Sequence, residues 1–149
     1  MVNVRTFICG VLLAGSPLIG GPAFTCARAQ SLQEPGRGAA LVFGDLEKGM
    51  LAGSVAPFSP HLGQRIYLQL PESQEAHYSA HQAFYVLDLF LRRHKVLGVK
   101  LSSVESAPPN PYATGSVTYL FQGVREDAHL YVSLAGEEDD WMITHLSIY

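Results

Sequence analysis

The chain has 149 residues, 48% of them hydrophobic, and its 10 basic and 13 acidic side chains give a formal charge of −3. That length suits one domain with a modest two-layer core. The acidic balance leaves no basic face for a nucleic-acid backbone.

The first segment reads as a leader rather than as structure. Val2 to Arg5 form a short positively charged start, and "FICGVLLAG" is an apolar core too short to span a bilayer. Ala27-Arg28-Ala29 then gives the small-x-small pattern that predicts cleavage before Gln30, so residues 1–29 are expected to be a signal peptide. Both cysteines, Cys9 and Cys26, fall inside it. Phe24 and Thr25 make a poor lipobox ahead of Cys26. The mature chain would therefore contain no disulfide, thiol nucleophile or cysteine metal ligand, as expected of an exported domain held by its core alone. Losing Arg5 and Arg28 leaves 8 basic against 13 acidic side chains, a charge of −5.

Gln30 to Gly38 is a polar, glycine- and proline-bearing lead-in. From Ala39 a helical pattern passes through Leu41, Val42 and Phe43. It is expected to break at Gly44-Asp45, with a second helix carrying Leu46, Met50 and Leu51 to near Pro57 or Pro60. "RIYLQLP" alternates, with Ile66, Leu68 and Leu70 opposite Arg65, Tyr67 and Gln69, and predicts a half-buried strand. Ser79 then caps a helix whose buried face is Ala80, Ala83, Phe84, Leu87, Phe90 and Leu91. Four further segments, "LGVKLSSVESA", "YATGSVTYLFQG", "AHLYVSL" and "WMITHLSIY", predict an antiparallel meander. Helix, helix, strand, helix and a run of strands make an α+β fold with helices on one face of a curved antiparallel sheet.

Four stretches, "GDLEKGML", "IYLQLP", "YSAHQAFYVLDLFLRRH" and "MITHLSI", resemble the nuclear transport factor 2-like superfamily, and most closely a family of short exported bacterial domains of unassigned function. The resemblance covers nearly all of residues 39–149. It implies a bent sheet wrapping a long helix, with a cavity at the open end of the cone that relatives use as an active site, use as a ligand pocket or fill with side chains. It also implies pairing through the outer face of the sheet.

The candidate chemistry is sparse. Asp88 could be a buried base of the isomerase type, but its helical position faces sideways, four residues before Arg92 in the orientation of a helical ion pair. His77 and His81 have metal-ligand spacing, yet Ser79 as cap puts His77 ahead of the helix and no third ligand is near. His94, at the helix end, can satisfy the last carbonyls. The "EEDD" run, Glu137 to Asp140, reads as a solvated turn. No cofactor or metal is called for.

The later strands carry more information. Leu130, Val132 and Leu134 share one face against His129, Tyr131 and Ser133, while Val117, Tyr119 and Phe121 oppose Thr118 and Leu120. In the last strand Met142, Leu146 and Ile148 are expected opposite Trp141, Ile143, His145 and Tyr149. Two readings follow. Phe121, Trp141, Ile143, His145 and Tyr149 form a homodimer or partner interface on the outer sheet face. Alternatively, Tyr67, Tyr119, His129 and Tyr131 rim a small-molecule pocket. The chain thus reads as an exported, non-enzymatic binding or interaction domain, with a small isomerase- or cyclase-type enzyme using a His, Tyr or Asp base as the alternative.

Overall fold

The structure is a computed structural model that describes residues 36–137 and 140–149. The expected signal peptide, most of the lead-in and two residues of the acidic turn lie outside the described residues.

The first helix, α1, runs unbroken from Arg37 to Ala52. Ala39, Val42, Phe43, Leu46, Gly49 and Met50 form its buried stripe, and this spacing carries the helix straight through the expected break at Gly44-Asp45. A mid-helix glycine costs roughly 1 kcal/mol relative to alanine. Each large apolar side chain buried on either side of it contributes about 1.5–3 kcal/mol, so packing overrides the local signal. Asp45 is not a cap. It lies 3.6 Å from Lys48 and 3.6 Å from His61. The helix stops at Gly53, whose φ of 66° suits a residue without a Cβ and lets its N–H reach the Met50 carbonyl at 3.1 Å.

A short turn of 3-10 helix, Ser59–His61, leads into β1, Leu62–Gln69, with Ile66 and Leu68 buried as the alternation requires. The four-residue strand β2, Ala76–Ser79, pairs antiparallel with β1 and had no sequence signal of its own. The second helix, α2, spans Ala80–Arg93. Ser79 caps it through the Gln82 N–H, and the Gln82 side chain accepts from the Ser79 N–H in return. Ala83, Leu87, Phe90 and Leu91 are buried, and Ala80 and Phe84 pack at the edge of the same core.

The remaining strands are β3 (Lys95–Glu105), β4 (Tyr112–Phe121), β5 (Val124–Glu137) and β6 (Asp140–Ile148), and they form the expected antiparallel meander. The sheet order is β2-β1-β6-β5-β4-β3. Because β6 returns beside β1 in the same direction, the sheet is mixed rather than wholly antiparallel. Two helices pack on one of its faces. Register shifts in β3 and at the β5/β6 pairing bend and twist it, as bulges do.

The shift in β6 decides which side chains face the helices. Leu134 pairs with Ile143 and Ser133 with His145, which leaves Thr144 as the extra residue, its hydroxyl donating to the Ser133 carbonyl at 3.3 Å. The alternation changes phase there. Trp141 and Ile143 point into the core before the bulge, and Leu146 and Ile148 point into it after.

Candidate functional site

The helix-free face of the sheet carries the densest grouping of aromatic and imidazole side chains. Tyr67 alternates with the buried Ile66 and Leu68, so it stands on this face. Its neighbours across the sheet are His77 on β2 and His145 on β6, both paired with it in register. Side chains at paired positions share a face, and their rings meet: Tyr67 lies 5.3 Å from His77 and 4.8 Å from His145, both edge to face. His145 meets Tyr131 on β5 at 5.1 Å, and Tyr131 stacks on Tyr112 of β4 at 6.3 Å. The row His77, Tyr67, His145, Tyr131, Tyr112 thus crosses five of the six strands.

Polar groups hold the row in place. The Tyr67 hydroxyl donates to Glu75 at 3.0 Å and the Gln69 amide donates to the same carboxylate at 2.9 Å. The hydrogen bond to Glu75 is the main reason the Tyr67 hydroxyl titrates above its ordinary value, with desolvation and the carboxylate's charge adding to it. His145 Nε2 lies 2.7 Å from Ser147 Oγ, and Ser147 is only 2% exposed although it stands on the helix-free face. Burial, and secondarily the nearby His77, hold the His145 imidazole below its usual pKa. His129 and Tyr149 extend the face, their rings 5.7 Å apart and their backbones exchanging hydrogen bonds at 2.7 and 3.0 Å.

The nine residues singled out from sequence therefore divide between two faces. Tyr67, Tyr131 and His129 of the expected pocket, and His145 and Tyr149 of the expected interface, share the helix-free face. Tyr119 does not: it is 3% exposed in the core, 5.1 Å from His94 and 6.0 Å from Phe90, so it cannot rim a pocket with Tyr67 and Tyr131. Its hydroxyl donates to Glu126 at 3.2 Å, and burial first, then Glu126, raise its pKa. Trp141 and Ile143 are 2% and 0% exposed, removed from the outer face by the phase change at Thr144. Phe121 stacks on His94 at 4.7 Å, on the helix side. Tyr112 and His77, absent from the expected sets, complete the row. Their signal lay in the strand register, which pairs Tyr112 with Ser133 and His77 with Tyr67.

The candidate base and metal ligands are otherwise engaged. Asp88 accepts from Arg92 Nε at 2.9 Å on the flank of α2. His81 packs edge to face on Tyr85 at 4.9 Å. His94 is 2% exposed, with Nδ1 3.0 Å from the Phe90 carbonyl, the role expected for an imidazole at a helix end.

Two helices on one face of a curved six-stranded sheet, with the last strand closing beside the first, define a nuclear transport factor 2-like fold. An NTF-2 like protein of unknown function from Shewanella oneidensis has it too (TM-score 0.55, 8% identity, 74% of this chain and 95% of that one). So do DUF4783 family proteins from Bacteroides uniformis (0.63, 12%, 70% and 93%) and Bacteroides ovatus (0.60, 13%, 70% and 90%). The chain itself belongs to this domain of unknown function, DUF4783, whose family model matches residues 43–149. No curated protein matches it in sequence.

Proposed function

We propose that this is an exported, non-enzymatic interaction domain whose working surface is the helix-free face of the sheet, and that the occupant of that face is a second copy of the chain. The single observation that carries the reading is the unbroken row of rings from His77 to Tyr112. The positions between its rings, Thr114, Ser116, Ser133, Ser147 and Gln69, are uncharged, and the charged neighbours Arg65, Glu75 and Glu105 stand at its margins. Aromatic enrichment with depletion of formal charge is the composition of a protein interface centre rather than of a solvated sheet face.

The sheet edges favour contact through the face. One edge, β2, has four residues, and the other, β3, is interrupted by two register shifts and carries Lys95 and Lys100. Short, bulged and lysine-bearing edges resist strand addition. Tyrosine hydroxyls and imidazoles are donors and acceptors at once, so this face can satisfy its own copy across a two-fold axis. Export is supported by the leader pattern of residues 1–29 and by the absence of cysteine from the rest of the chain.

Sedimentation equilibrium from low to high micromolar concentration tests the reading. A concentration-dependent dimer is expected, and a monomer throughout would overturn it.

A further inference from the structure

On the opposite side of the molecule, the last turns of α2 and the turn after β1 enclose a cavity of about 120 Å³. Leu70, Pro71, Val86, Leu89 and Phe90 form its apolar wall, and His94 borders it. A wider recess of about 450 Å³ adjoins it, reaching Phe121 and Gln122, and Glu72 and Arg93 belong to both. None of these polar groups has a role in the sheet face.

His94 is the informative residue. It is sandwiched between Phe90 at 4.3 Å and Phe121 at 4.7 Å, with the rings nearly parallel on both sides. A carbonyl only accepts, so the Nδ1 beside the Phe90 carbonyl carries the proton, and Nε2 of the neutral ring is left as an acceptor. Among the described residues the side-chain hydrogen bond of His94 is the one made by Nδ1. The cavity therefore offers one acceptor beside its apolar wall, with Glu72, Ser73 and Arg93 also lining it.

Its rim carries both signs of charge. Among the described residues the ion pairs are Lys48–Asp45, His61–Asp45 and Arg92–Asp88, so Glu72 and Arg93 do not neutralise each other. Glu72 holds φ at 60°, a left-handed conformation costing a non-glycine residue about 1 kcal/mol. Gln122, at φ 50°, also borders the recess, and the two-residue hairpin turn Gln122-Gly123 requires that conformation. Glu72 likewise takes its positive φ from its turn, Leu70-Pro71-Glu72-Ser73, which the Ser73 N–H closes on the Leu70 carbonyl at 3.1 Å and which holds its third residue left-handed behind a proline.

We propose that this cavity binds a free α-amino acid with a hydroxylated aromatic side chain. A single ring suits a half-open cavity of about 120 Å³, since an apolar cavity of about 150 Å³ takes benzene. The ring hydroxyl donates to His94 Nε2, the α-carboxylate meets the Arg93 guanidinium, and the α-ammonium meets Glu72. The site is independent of the sheet face and of its occupancy by a second copy.

Amide-resolved NMR titration of the ¹⁵N-labelled protein with L-tyrosine, L-phenylalanine, tyramine and N-acetyl-L-tyrosine tests it. L-Tyrosine should give saturable shifts at Glu72, Ser73, Leu89 and Arg93. L-Phenylalanine should bind about ten-fold more weakly, because it leaves the Nε2 acceptor unmet. Tyramine and N-acetyl-L-tyrosine, each lacking one charge, should also bind several-fold more weakly. Arg93→Ala, on an exposed side chain, should abolish the preference for L-tyrosine over tyramine. His94→Phe should abolish the preference for L-tyrosine over L-phenylalanine. If that variant fails to fold, the analogue series and Arg93→Ala still decide. Absence of saturable shifts at millimolar L-tyrosine, or equal affinity for all four compounds, would overturn the proposal.

Discussion

Tyr67 and His145 are register partners on β1 and β6, the parallel pair in the sheet, and their rings meet at 4.8 Å with planes 64° apart. Tyr67 is thereby part of what shields the imidazole from water. Tyr67→Ala should raise the His145 pKa toward its ordinary value, because burial is the largest cause of the depression. The same substitution should cost stability only modestly, about 0.5–1.5 kcal/mol, as one aromatic pair on a half-buried face. Histidine ring-proton titration by NMR and urea denaturation check the two parts.

Acid should weaken the fold through this residue. A histidine whose folded-state pKa lies below its unfolded value favours the neutral ring in the native state, so the unfolded chain takes up the proton first as pH falls. The contribution of His145 is therefore complete above the unfolded value near 6.5. It declines as pH drops from there through the lower folded value. The groups facing it are His77, Tyr67, Tyr131 and Ser147, with Glu75 reached through the Tyr67 hydroxyl. If the face is paired, dimer dissociation should accompany the same window, since two copies would bring their histidines together. His145→Gln should flatten both dependences, and a dimer that tightened on acidification would contradict this account.

The phase change at Thr144 predicts a contrast between residues two apart. Ile143→Ala removes a fully buried side chain and should cost about 2–4 kcal/mol in equilibrium denaturation. His145→Ala, on the other face, should cost less than about 1 kcal/mol in the monomer. Trp141→Phe should be milder than a typical deletion of a buried aromatic, because it also removes Nε1, a buried N–H without a partner among the described residues.

Two glycines of α1 should respond with opposite sign. A Cβ at Gly44 meets nothing within 4 Å, so Gly44→Ala should stabilise by about 0.5–1 kcal/mol through helix propensity alone. A Cβ at Gly49 would lie 2.5 Å from Phe58 Cδ1 and 2.7 Å from the Ser54 carbonyl oxygen, so Gly49→Ala should destabilise despite the same propensity gain. Thermal melts of the two variants distinguish the cases.

Most of the architecture was legible because it rests on periodicity. The alternation of Ile66, Leu68 and Leu70 located β1, and the 3-4 spacing of Ala83, Leu87, Phe90 and Leu91 located α2 and its buried face. Ser79 was readable as the cap from its residue type alone. What was illegible depends on tertiary context. Gly44 looked like a helix stop because a local signal does not report the packing of Phe43 and Leu46 that outweighs it. The strand β2 is too short to show a period. The parallel pairing of β1 with β6 joins segments at opposite ends of the domain. The candidate site suffered most from one inserted residue. Counting through Thr144 as regular strand assigned Trp141 and Ile143 to the outer face, and only the register of β6 against β5 corrects them. Tyr119 was misplaced for a related reason: strand neighbours, not residue type, decide which face a tyrosine joins.

Isotope-filtered NMR on an equal mixture of labelled and unlabelled protein tests the central claim most directly, because it registers only contacts between copies. The account predicts intermolecular contacts among the ring protons of Tyr67, Tyr131 and His145, lost in the Tyr67→Ala, Tyr131→Ala double variant while its fold is kept. A dimer whose intermolecular contacts come instead from α1 and α2, or the absence of any such contact at high micromolar concentration, would contradict it.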